Sequence, residues 1–493
     1  MRRQRGQQSK QAHARRKWLL AAGLFSLLLL IVCGGIALLE HLNRTPRELA
    51  PYIERRASGH NPTIVGIGNW AGKMLRSLDR MEPLIDQLPA LNVGVQATLS
   101  ADASTAEHPL MVGSVEQALL AIRNAKAGDV ITFLPGVYRF TGGSISVINP
   151  GREDAPIIVR AQQAGTVKLE LGAAEGFIIM APFWTFENLH LRGVCKQQAY
   201  CDHAFHVVGK AHHFVARNNS ILDFNAHFKV NQAHGFFPDD GLIEHNTLTN
   251  TGLRNTDHSV TVIDIVAASR WRIRRNLITD FIKNGSDNIS YGVFAKGAGA
   301  ENRIEQNIVI CEHRLHGIPG QRVGLSLGGG GTGPEYCRDH RCITEQDRSV
   351  IDSNLVMSCS DDGIYLNKAA ASRVSNNTLL DTGGIEVRFP ESSADVAGNL
   401  VDGKIRSRDG GLLRVSGNHD TGLSSIFAGY HPVRMRFRDP AMMDLSWRNK
   451  PEASLPANPG ASDLCGVNRG VTSSAGAFDD FMRCLPQMDY PKR

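Results

Sequence analysis

A short unit that recurs along the chain constrains the fold more than any other feature of the sequence. Eight copies lie between residues 185 and 402, each with an apolar residue, two mostly polar residues, an asparagine and then apolar positions, as in IEHNTLT (243–249). Short strands at this spacing, without helices between them, cannot form a doubly wound sheet and instead predict coils that stack on one another. The repeated asparagines are Asn188, Asn219, Asn246, Asn276, Asn307, Asn354, Asn377 and Asn399.

The asparagine has a physical role at the corner of such a coil. Its backbone tolerates the left-handed conformation, and its amide can hydrogen-bond to the equivalent asparagine one coil away. We therefore predict an asparagine ladder along one corner. The predicted fold class is all-β, a right-handed parallel β-helix (solenoid).

The segment before the repeats predicts a cap for this solenoid. Residues 114–128 read SVEQALLAIRNAKAG, in which Ser114 is a good helix N-cap and Gly128 a good terminator. The following residues, DVITFLPGVYRF (129–140), alternate as strands do around a Pro-Gly turn. An N-terminal capping helix is expected to cover the first coil.

The N-terminus has the pattern of a membrane anchor. Residues 1–17 hold seven Lys and Arg and no acid, and residues 18–39 are 22 residues without a charge. Such a segment spans roughly 33 Å as a helix, enough for the hydrocarbon core of a bilayer. By the positive-inside rule we expect a single-pass inner-membrane protein with a cytoplasmic N-terminus and a periplasmic main body. A cleaved signal peptide is the alternative, although it would be shorter and end in small residues.

The formal charge of +6 depends on that basic tail. Without its seven basic residues, the 54 Lys and Arg fall to 47, against 48 Asp and Glu. Because the rest of the chain is almost neutral, we expect no nucleic-acid partner.

Eight cysteines outside the apolar segment predict disulfides in an oxidising compartment, with metal binding as the weaker alternative because the sequence has no CxxC motif. Cys311 and Cys359 follow Asn307 and Asn354 by four and five residues, so we predict that they pair across adjacent coils. The pairs that are close in sequence are Cys195 with Cys201, Cys337 with Cys342, and Cys465 with Cys484.

These patterns divide the chain into five segments. Residues 40–105 combine helical stretches with a polar linker, which predicts a short helical stalk beside the membrane. The segments are a basic tail (1–17), a transmembrane anchor (18–39), the stalk (40–105), the β-helix (106–430) and a closing segment (431–493).

Both ends of the predicted solenoid resemble those of known polysaccharide lyases. The helix, GD-x-I strand and PGxY turn within residues 114–140 resemble the opening of β-helix lyases of the chondroitinase B and alginate lyase type. The segment DLCGVNRGVTSSAGAF (463–478) resembles the closing segment of many secreted β-helix proteins. The resemblance covers residues 110–480 and implies an acidic polysaccharide or another glycan as the partner.

Strands that precede successive corners align on a leading glycine, as in YGVFAKG (291–297) and DGIYLNK (362–368). Side chains alternate between the two faces of a strand, and equivalent positions stack at about 4.8 Å, so the second and fourth positions after the glycine predict two outward columns. We expect this face to form a trough that the glycines of 328–333 open in the middle. The first column holds Phe294, Ser326, Tyr365 and Glu386, with Asp264 from an earlier strand. The second holds Lys296, Gly328, Asn367 and Arg388.

The interval between Asn307 and Asn354 carries the longest insertions, at 311–322 and 331–348. Long loops on a rigid scaffold often hold functional groups. From the first insertion, His316 is a candidate for substrate binding and Arg322 for catalysis.

The resemblance implies β-elimination or epimerisation of a uronic acid polymer. This chemistry needs a base, a cation that neutralises the substrate carboxylate and an acid for the leaving oxygen. In the lyases a lysine shortly before an asparagine corner is the base, and Lys296 resembles it. Their arginine comes from the next coil, where this chain has Gly328, so Arg322 or Arg388 would take its place. Tyr365 is the candidate proton donor. The candidate substrate-binding residues are Asp264, His316, Ser326, Asn367 and Glu386.

No cofactor is predicted, with calcium as the alternative. The lyases hold calcium through carboxylates shortly before the lysine, and Ile289 and Tyr291 occupy that region here. Two other functions stay open. A glycan-binding or envelope scaffold protein would have the same trough without cleavage. A pectinase-like hydrolase would use pieces such as His316-Gly317 and Asp361-Asp362-Gly363, which occur here in a different order.

Overall fold

The computed structural model describes residues 23, 26, 34, 43–97, 108–329, 331–452, 455–456, 461–470 and 472–486. The predicted basic tail, and the predicted anchor apart from three isolated positions, therefore lie outside the described residues. Within the described residues, no helix is long and apolar enough to cross a membrane.

The chain forms two compact units, whose boundaries differ from the predicted segments. One comprises Met1–Asp79 with Gly422–Tyr430, and the other comprises Arg80–Thr421 with His431–Arg493. The helical unit is held by a buried ion pair between Arg47 and Asp79. The second half of the predicted stalk, from Arg80, belongs to the β-helix unit because its apolar side chains pack there. The α-helices that lie wholly within the described residues are α1 (Pro46–Ala57), α2 (Pro62–Asp79), α3 (Val115–Asn124) and α4 (Leu423–Phe427).

The β-helix unit confirms the predicted architecture: three parallel sheets stack coil upon coil. Sheet A contains β1 (His108–Val112), β2 (Asp129–Phe133), β5 (Ile157–Ala161), β8 (Trp184–Glu187), β11 (Val215–Arg217), β14 (Leu242–Glu244), β18 (Arg272–Arg274), β23 (Arg303–Glu305), β27 (Val350–Asp352), β31 (Ser372–Ser375), β34 (Ser393–Ala397) and β37 (Leu412–Ser416). Sheet B contains β3 (Gly136–Phe140), β6 (Val167–Leu171), β9 (His190–Gly193), β12 (Ser220–Leu222), β15 (Thr247–Thr249), β19 (Leu277–Thr279), β24 (Ile308–Ile310), β28 (Leu355–Met357), β32 (Thr378–Leu380), β35 (Leu400–Val401) and β38 (His419–Asp420). Sheet C contains β4 (Ile145–Val147), β7 (Glu175–Ile179), β10 (His203–Val208), β13 (Ala226–Asn231), β17 (Val260–Val266), β21 (Ile289–Lys296), β25 (Gln321–Leu327), β29 (Ile364–Asn367), β33 (Gly384–Arg388) and β36 (Lys404–Arg408).

Short strands pair at the turns and in the C-terminal segment. At the turns, β16 (Arg254–Asn255) pairs with β20 (Lys283–Asn284), and β22 (Gly299–Ala300), β26 (Gln346–Asp347) and β30 (Ala369–Ala370) form a small sheet. Two antiparallel pairs follow, β39 (Phe437–Asp439) with β40 (Asp444–Trp447) and β41 (Leu455–Pro456) with β42 (Thr472–Ser473). Ser114 caps α3 as predicted, since its Oγ accepts a hydrogen bond from the backbone N–H of Gln117.

The asparagine ladder runs along the corner between sheets A and B. Each amide donates to the Oδ1 of the next asparagine at 2.9–3.1 Å, from Asn219 through Asn399, and the ladder ends at Asn418, which sequence analysis missed. The left-handed residue is not the ladder asparagine but the residue before it, such as Gln306. Asn188 is such a left-handed residue, and Leu189 occupies the ladder position of its coil.

Four disulfides form as predicted, in the pairs Cys195–Cys201, Cys311–Cys359, Cys337–Cys342 and Cys465–Cys484. The prediction for Cys311 and Cys359 depended on the corner positions, and β24 and β28, which precede these cysteines, are paired neighbours in sheet B. Their bond closes a sequence separation of 48 residues around the long insertions.

The three sheets differ in what covers their outer faces. Sheet B is covered by a second apolar cluster, in which Ile308 and Met357 pack with Leu91, Phe437 and Phe478 from the chain segments on either side of the β-helix. The outer face of sheet A carries ion pairs between neighbouring coils, such as Arg217–Glu187 and Arg274–Glu244, both at 2.7 Å. Sheet C is the remaining face, and it carries all of the predicted outward columns.

Candidate active site

The strand register of sheet C aligns the first predicted column from Asp264 to Glu386 and, in the second column, Asn367 with Arg388. Phe294 pairs with Asp264 on one side and with Ser326 on the other, and Tyr365 pairs with Glu386. The pattern depends on the leading glycines: a Cβ at Gly292 would lie 2.6 Å from the carbonyl oxygen of Gly324, so a side chain does not fit there. The columns therefore follow from close backbone packing at the start of each strand.

Lys296 lies on this face beside a second lysine that sequence analysis missed. The buried carboxylate of Asp264 lies between the two, with Oδ2 2.5 Å from Lys229 Nζ and Oδ1 3.7 Å from Lys296 Nζ. Burial raises the pKa of Asp264, but the two ammonium groups outweigh it, so the net shift is downward and the carboxylate stays ionised. The Lys296 ammonium also lies over the Phe294 ring, 4.3 Å from its centroid.

Tyr365, Asn367 and Arg388 form a second group on the same face. The Tyr365 hydroxyl accepts hydrogen bonds from Asn367 Nδ2 at 2.9 Å and from Arg388 Nη1 at 3.4 Å. Burial raises the pKa of Tyr365, so the phenol keeps its proton at neutral pH. With two donors bound to its oxygen, the hydroxyl proton is free to point away from the protein. Arg388 also forms an ion pair with Asp409 at 2.6 Å.

Three column residues have other roles than those predicted. Ser326 is fully buried, and its hydroxyl hydrogen-bonds to the carbonyl oxygens of Gly328 and Tyr365, so it is not presented to a substrate. Glu386 is buried and pairs with Arg406 and Arg408, so its carboxylate is not presented to a substrate. The side chain of Asp264 is 3% exposed and contacts the lysines instead of solvent.

Of the two residues taken from the first insertion, Arg322 does not join this face. Arg322 is buried, 1% exposed, where its guanidinium contacts Ser360 Oγ and lies 3.6 Å from Glu312. His316 lies in the loop after β24, and its Nδ1 is 3.4 Å from the carbonyl oxygen of His313. Arg322 thus secures the base of the loop, and of the two predicted arginines the structure brings only Arg388 to the outer face of sheet C.

The glycine segment packs directly against sheet C in the middle of the second column. Gly328 has a φ of 64°, and a Cβ there would meet the carbonyl oxygen of Asn367. A Cβ on Gly329 would overlap the Phe294 ring, so the glycines allow the backbone to pack directly on the sheet. Because Gly328 stands between Lys296 and Asn367 in the second column, the column has no side chain on that coil.

The two insertions lie at opposite edges of sheet C on that same coil. Residues 311–320 lead into β25, and residues 328–345 leave it. The second insertion is fixed by Arg338, which pairs with Asp239 at 2.8 Å and donates from its backbone N to the carbonyl of Gly297. Glu345, at the end of this insertion, is buried, and burial raises its pKa. Both insertions therefore join sheet C at the coil where the second column has no side chain.

The residues in the calcium region of the related lyases do not fit a calcium ion. Calcium takes six to eight oxygen ligands. Tyr291 instead stacks on Phe294, with ring centroids 4.4 Å apart, and Ile289 offers no side-chain oxygen. The reaction considered for this face therefore assigns no role to calcium.

Comparison with known proteins agrees with this architecture. A family model described as chondroitinase B matches residues 112–423, more than half of the chain. The chain belongs to the chondroitinase B family. No curated protein matches it.

Solved structures share the fold of this chondroitinase B family member at low sequence identity. Pectate lyase Pel9A superposes with a TM-score of 0.50 and 14% identity over 73% of this chain and 90% of that one. An alginate lyase from Paenibacillus sp. str. FPU-7 has a TM-score of 0.37 and 14% identity, covering 64% of this chain and 99% of its own. At these identities the likeness to Pel9A shows the parallel β-helix fold alone.

Proposed function

We propose that the protein is a polysaccharide lyase that cleaves a uronic acid polymer by β-elimination on the outer face of sheet C. One observation carries the proposal. Two groups of polar side chains lie on either side of the coil of β25, which has Gly328 and therefore no side chain in the second column. Lys296 is on one side, and Tyr365 with Arg388 is on the other, in a chain that belongs to the chondroitinase B family.

The proposed reaction assigns one role to each group. Lys296, in its unprotonated amine form, removes the proton beside the substrate carboxylate, and Arg388 binds that carboxylate and neutralises the charge that develops on it. A carbon–carbon double bond forms as the glycosidic carbon–oxygen bond breaks, and the Tyr365 hydroxyl gives its proton to the leaving oxygen. The guanidinium of Arg388, next to Tyr365 Oη, stabilises the phenolate that remains. Lys296 then releases its proton to solvent and Tyr365 takes a proton from solvent, which restores both groups.

The geometry sets the length of substrate that this face accommodates. Lys296 and Arg388 lie three coils apart, roughly 14 Å along the solenoid axis, so the proposed reaction requires Lys296 to leave Asp264 and extend toward Arg388 when substrate binds. Lys229 lies two further coils beyond Lys296, where binding a second substrate carboxylate would replace its ion pair with Asp264. An extended acidic polymer matches such a row of cations better than a small molecule does.

The proposal is tested by incubating the purified full chain with a panel of acidic polysaccharides, including chondroitin and dermatan sulfates, alginate and pectate. A lyase produces the ultraviolet absorbance of an unsaturated uronate at the new chain end. Epimerisation would change the uronic acid composition without that absorbance. Binding without either change would overturn the enzymatic assignment and favour a glycan-binding scaffold.

We also propose that the protein is anchored in the inner membrane by residues 18–39, with its β-helix in the periplasm. The uncharged 22-residue segment after seven basic residues supports this topology, and four disulfides suit an oxidising compartment. A reporter that is active only in the periplasm, fused after Arg493, should be active. Activity of a cytoplasm-specific reporter at the same position would contradict the topology.

A further inference from the structure

A histidine pair and a carboxylate lie together at the N-terminal end of the outer face of sheet C. Glu175 begins β7 and is paired in register with His203, which begins β10, and His206 follows three residues later. One ligand-type atom from each of these residues lies within 4.8 Å of the others, and all three side chains are partly exposed. The cluster is three coils before Lys296 and takes no part in the reaction proposed above.

His206 and Glu175 are in close contact. His206 Nδ1 is buried from solvent and lies 2.7 Å from Glu175 Oε1. His203 Nδ1 approaches the same oxygen at 3.4 Å.

A neighbouring asparagine fixes the orientation of the His206 ring. Asn231 donates from Nδ2 to the carbonyl oxygen of Gln232, so its Oδ1 is the atom that accepts from His206 Nε2 at 2.7 Å. The Nε2 atom therefore carries the proton, and in the neutral ring Nδ1 carries the lone pair that points at Glu175. A hydrogen-bonded second nitrogen is the usual support of a metal-binding histidine.

We propose that Glu175, His203 and His206 bind a divalent transition-metal ion, with zinc as its representative. Two imidazoles and one carboxylate are a ligand set for zinc and its neighbours, whereas calcium prefers oxygen ligands throughout. A metal ion placed between Nδ1 of the neutral His206 ring and the Glu175 carboxylate oxygen would form a coordination bond with each. Metal–ligand bonds of about 2.0–2.2 Å require shifts on the order of 1 Å from the partly exposed side chains.

Three protein ligands leave at least one coordination position open. That position faces the same trough as Lys229 and Lys296, because His206 belongs to the first outward column. It would take water or an oxygen of an anionic ligand, which adds a positive charge to this end of the trough.

The test is calorimetric titration of the metal-free full chain with zinc and, separately, with calcium. We expect one tight zinc per chain and no comparable calcium binding. Glu175→Gln and His206→Ala should each weaken zinc binding at least tenfold, and Asn231→Ala should weaken it by about 10–100-fold by releasing the ring. His258→Ala is the matched control, because His258 also pairs with a carboxylate, Asp202, at 3.1 Å but outside the cluster.

Circular dichroism of each variant verifies its fold, and Glu175→Gln, which keeps the side-chain shape, serves if His206→Ala does not fold. Zinc affinity that is unchanged in Glu175→Gln and in His206→Ala, or no tight zinc in the unmodified chain, would overturn the proposal. Equal loss in the His258→Ala control would also contradict it. None of these readouts depends on polysaccharide cleavage.

Discussion

The asparagine corner and the outer face of sheet C are built from the same coils, but they use their residues in opposite ways. At the corner, the same residue type recurs on successive coils because each asparagine must both donate to and accept from its neighbours. On the outer face, Lys229, Asp264, Phe294, Ser326 and Tyr365 succeed one another in a single column. Repetition thus marks the position that holds the solenoid together, and variation marks the position that is available for function.

Replacing a central ladder asparagine should cause the largest loss of stability. Asn276 donates to the Ile243 carbonyl and to Asn307, and it accepts from the backbone and the side chain of Asn246. Asn276→Leu leaves several buried groups without partners, so we expect it to lower the free energy of unfolding by on the order of 3–5 kcal/mol. Urea unfolding followed by circular dichroism measures the change.

The end of the ladder provides the control for that prediction. Asn418 makes similar bonds but is partly exposed, so water can replace them, and Asn418→Leu should cost only about 1 kcal/mol. Equal losses at Asn276 and Asn418 would show that burial of the rung does not determine its contribution.

Removing the proposed proton donor should affect turnover but not folding. We expect Tyr365→Phe to lower kcat roughly 100-fold, the usual scale for a positioned acid, on whichever polysaccharide the chain cleaves. Tyr291→Phe is the matched control, since Tyr291 is also a partly buried tyrosine on sheet C, and burial raises its pKa as well. A larger loss in the Tyr291 variant would transfer the donor role to that residue.

A buried histidine next to the face should give a smaller effect that depends on pH. His227 lies two residues before Lys229 but points inward, where burial lowers its pKa to about 3, with Arg254 contributing. Because the unfolded chain binds the proton near pH 6.5 and the folded chain does not, the contribution of His227 is fully present above pH 6.5. It declines by up to about 1.4 kcal/mol for each unit of pH below that value.

The comparison for that prediction is His227→Leu. Between pH 6.5 and pH 5, the free energy of unfolding should fall less steeply in this variant than in the unmodified chain. Parallel slopes in urea unfolding at several pH values would mean that the folded protein protonates His227 readily.

Sequence analysis could predict the parts of this protein in which one contact repeats. The asparagine interval led to the coils, to the column register and to the Cys311–Cys359 bond, because each depends on position within a coil. The spacing of the asparagines could not show that Arg322 is buried, because its burial follows from contacts with Glu312 and Ser360 outside the repeated unit.

Lys229, Glu175 and His203, which sequence analysis did not identify, can be recognised only once the register of the strands is known. Lys229 follows from aligning AHFKVN (226–231) with VTVIDIV (260–266), which places it in the column of Asp264. Glu175 and His203 come together because each begins a strand of sheet C, and no motif in the sequence marks the start of those strands. Ser326 appeared outward by alternation, but the glycine segment that follows it folds over the same coil.

The central claim is that the outer face of sheet C cleaves an acidic polysaccharide with Lys296 as the base. The most direct measurement is the rate of unsaturated uronate formation by Lys296→Ala compared with Lys210→Ala, in which another lysine that lies over a phenylalanine ring is removed. We expect at least about a 100-fold loss for Lys296→Ala, unchanged unfolding, and full activity for the control. Full activity of Lys296→Ala on a confirmed substrate would contradict the account.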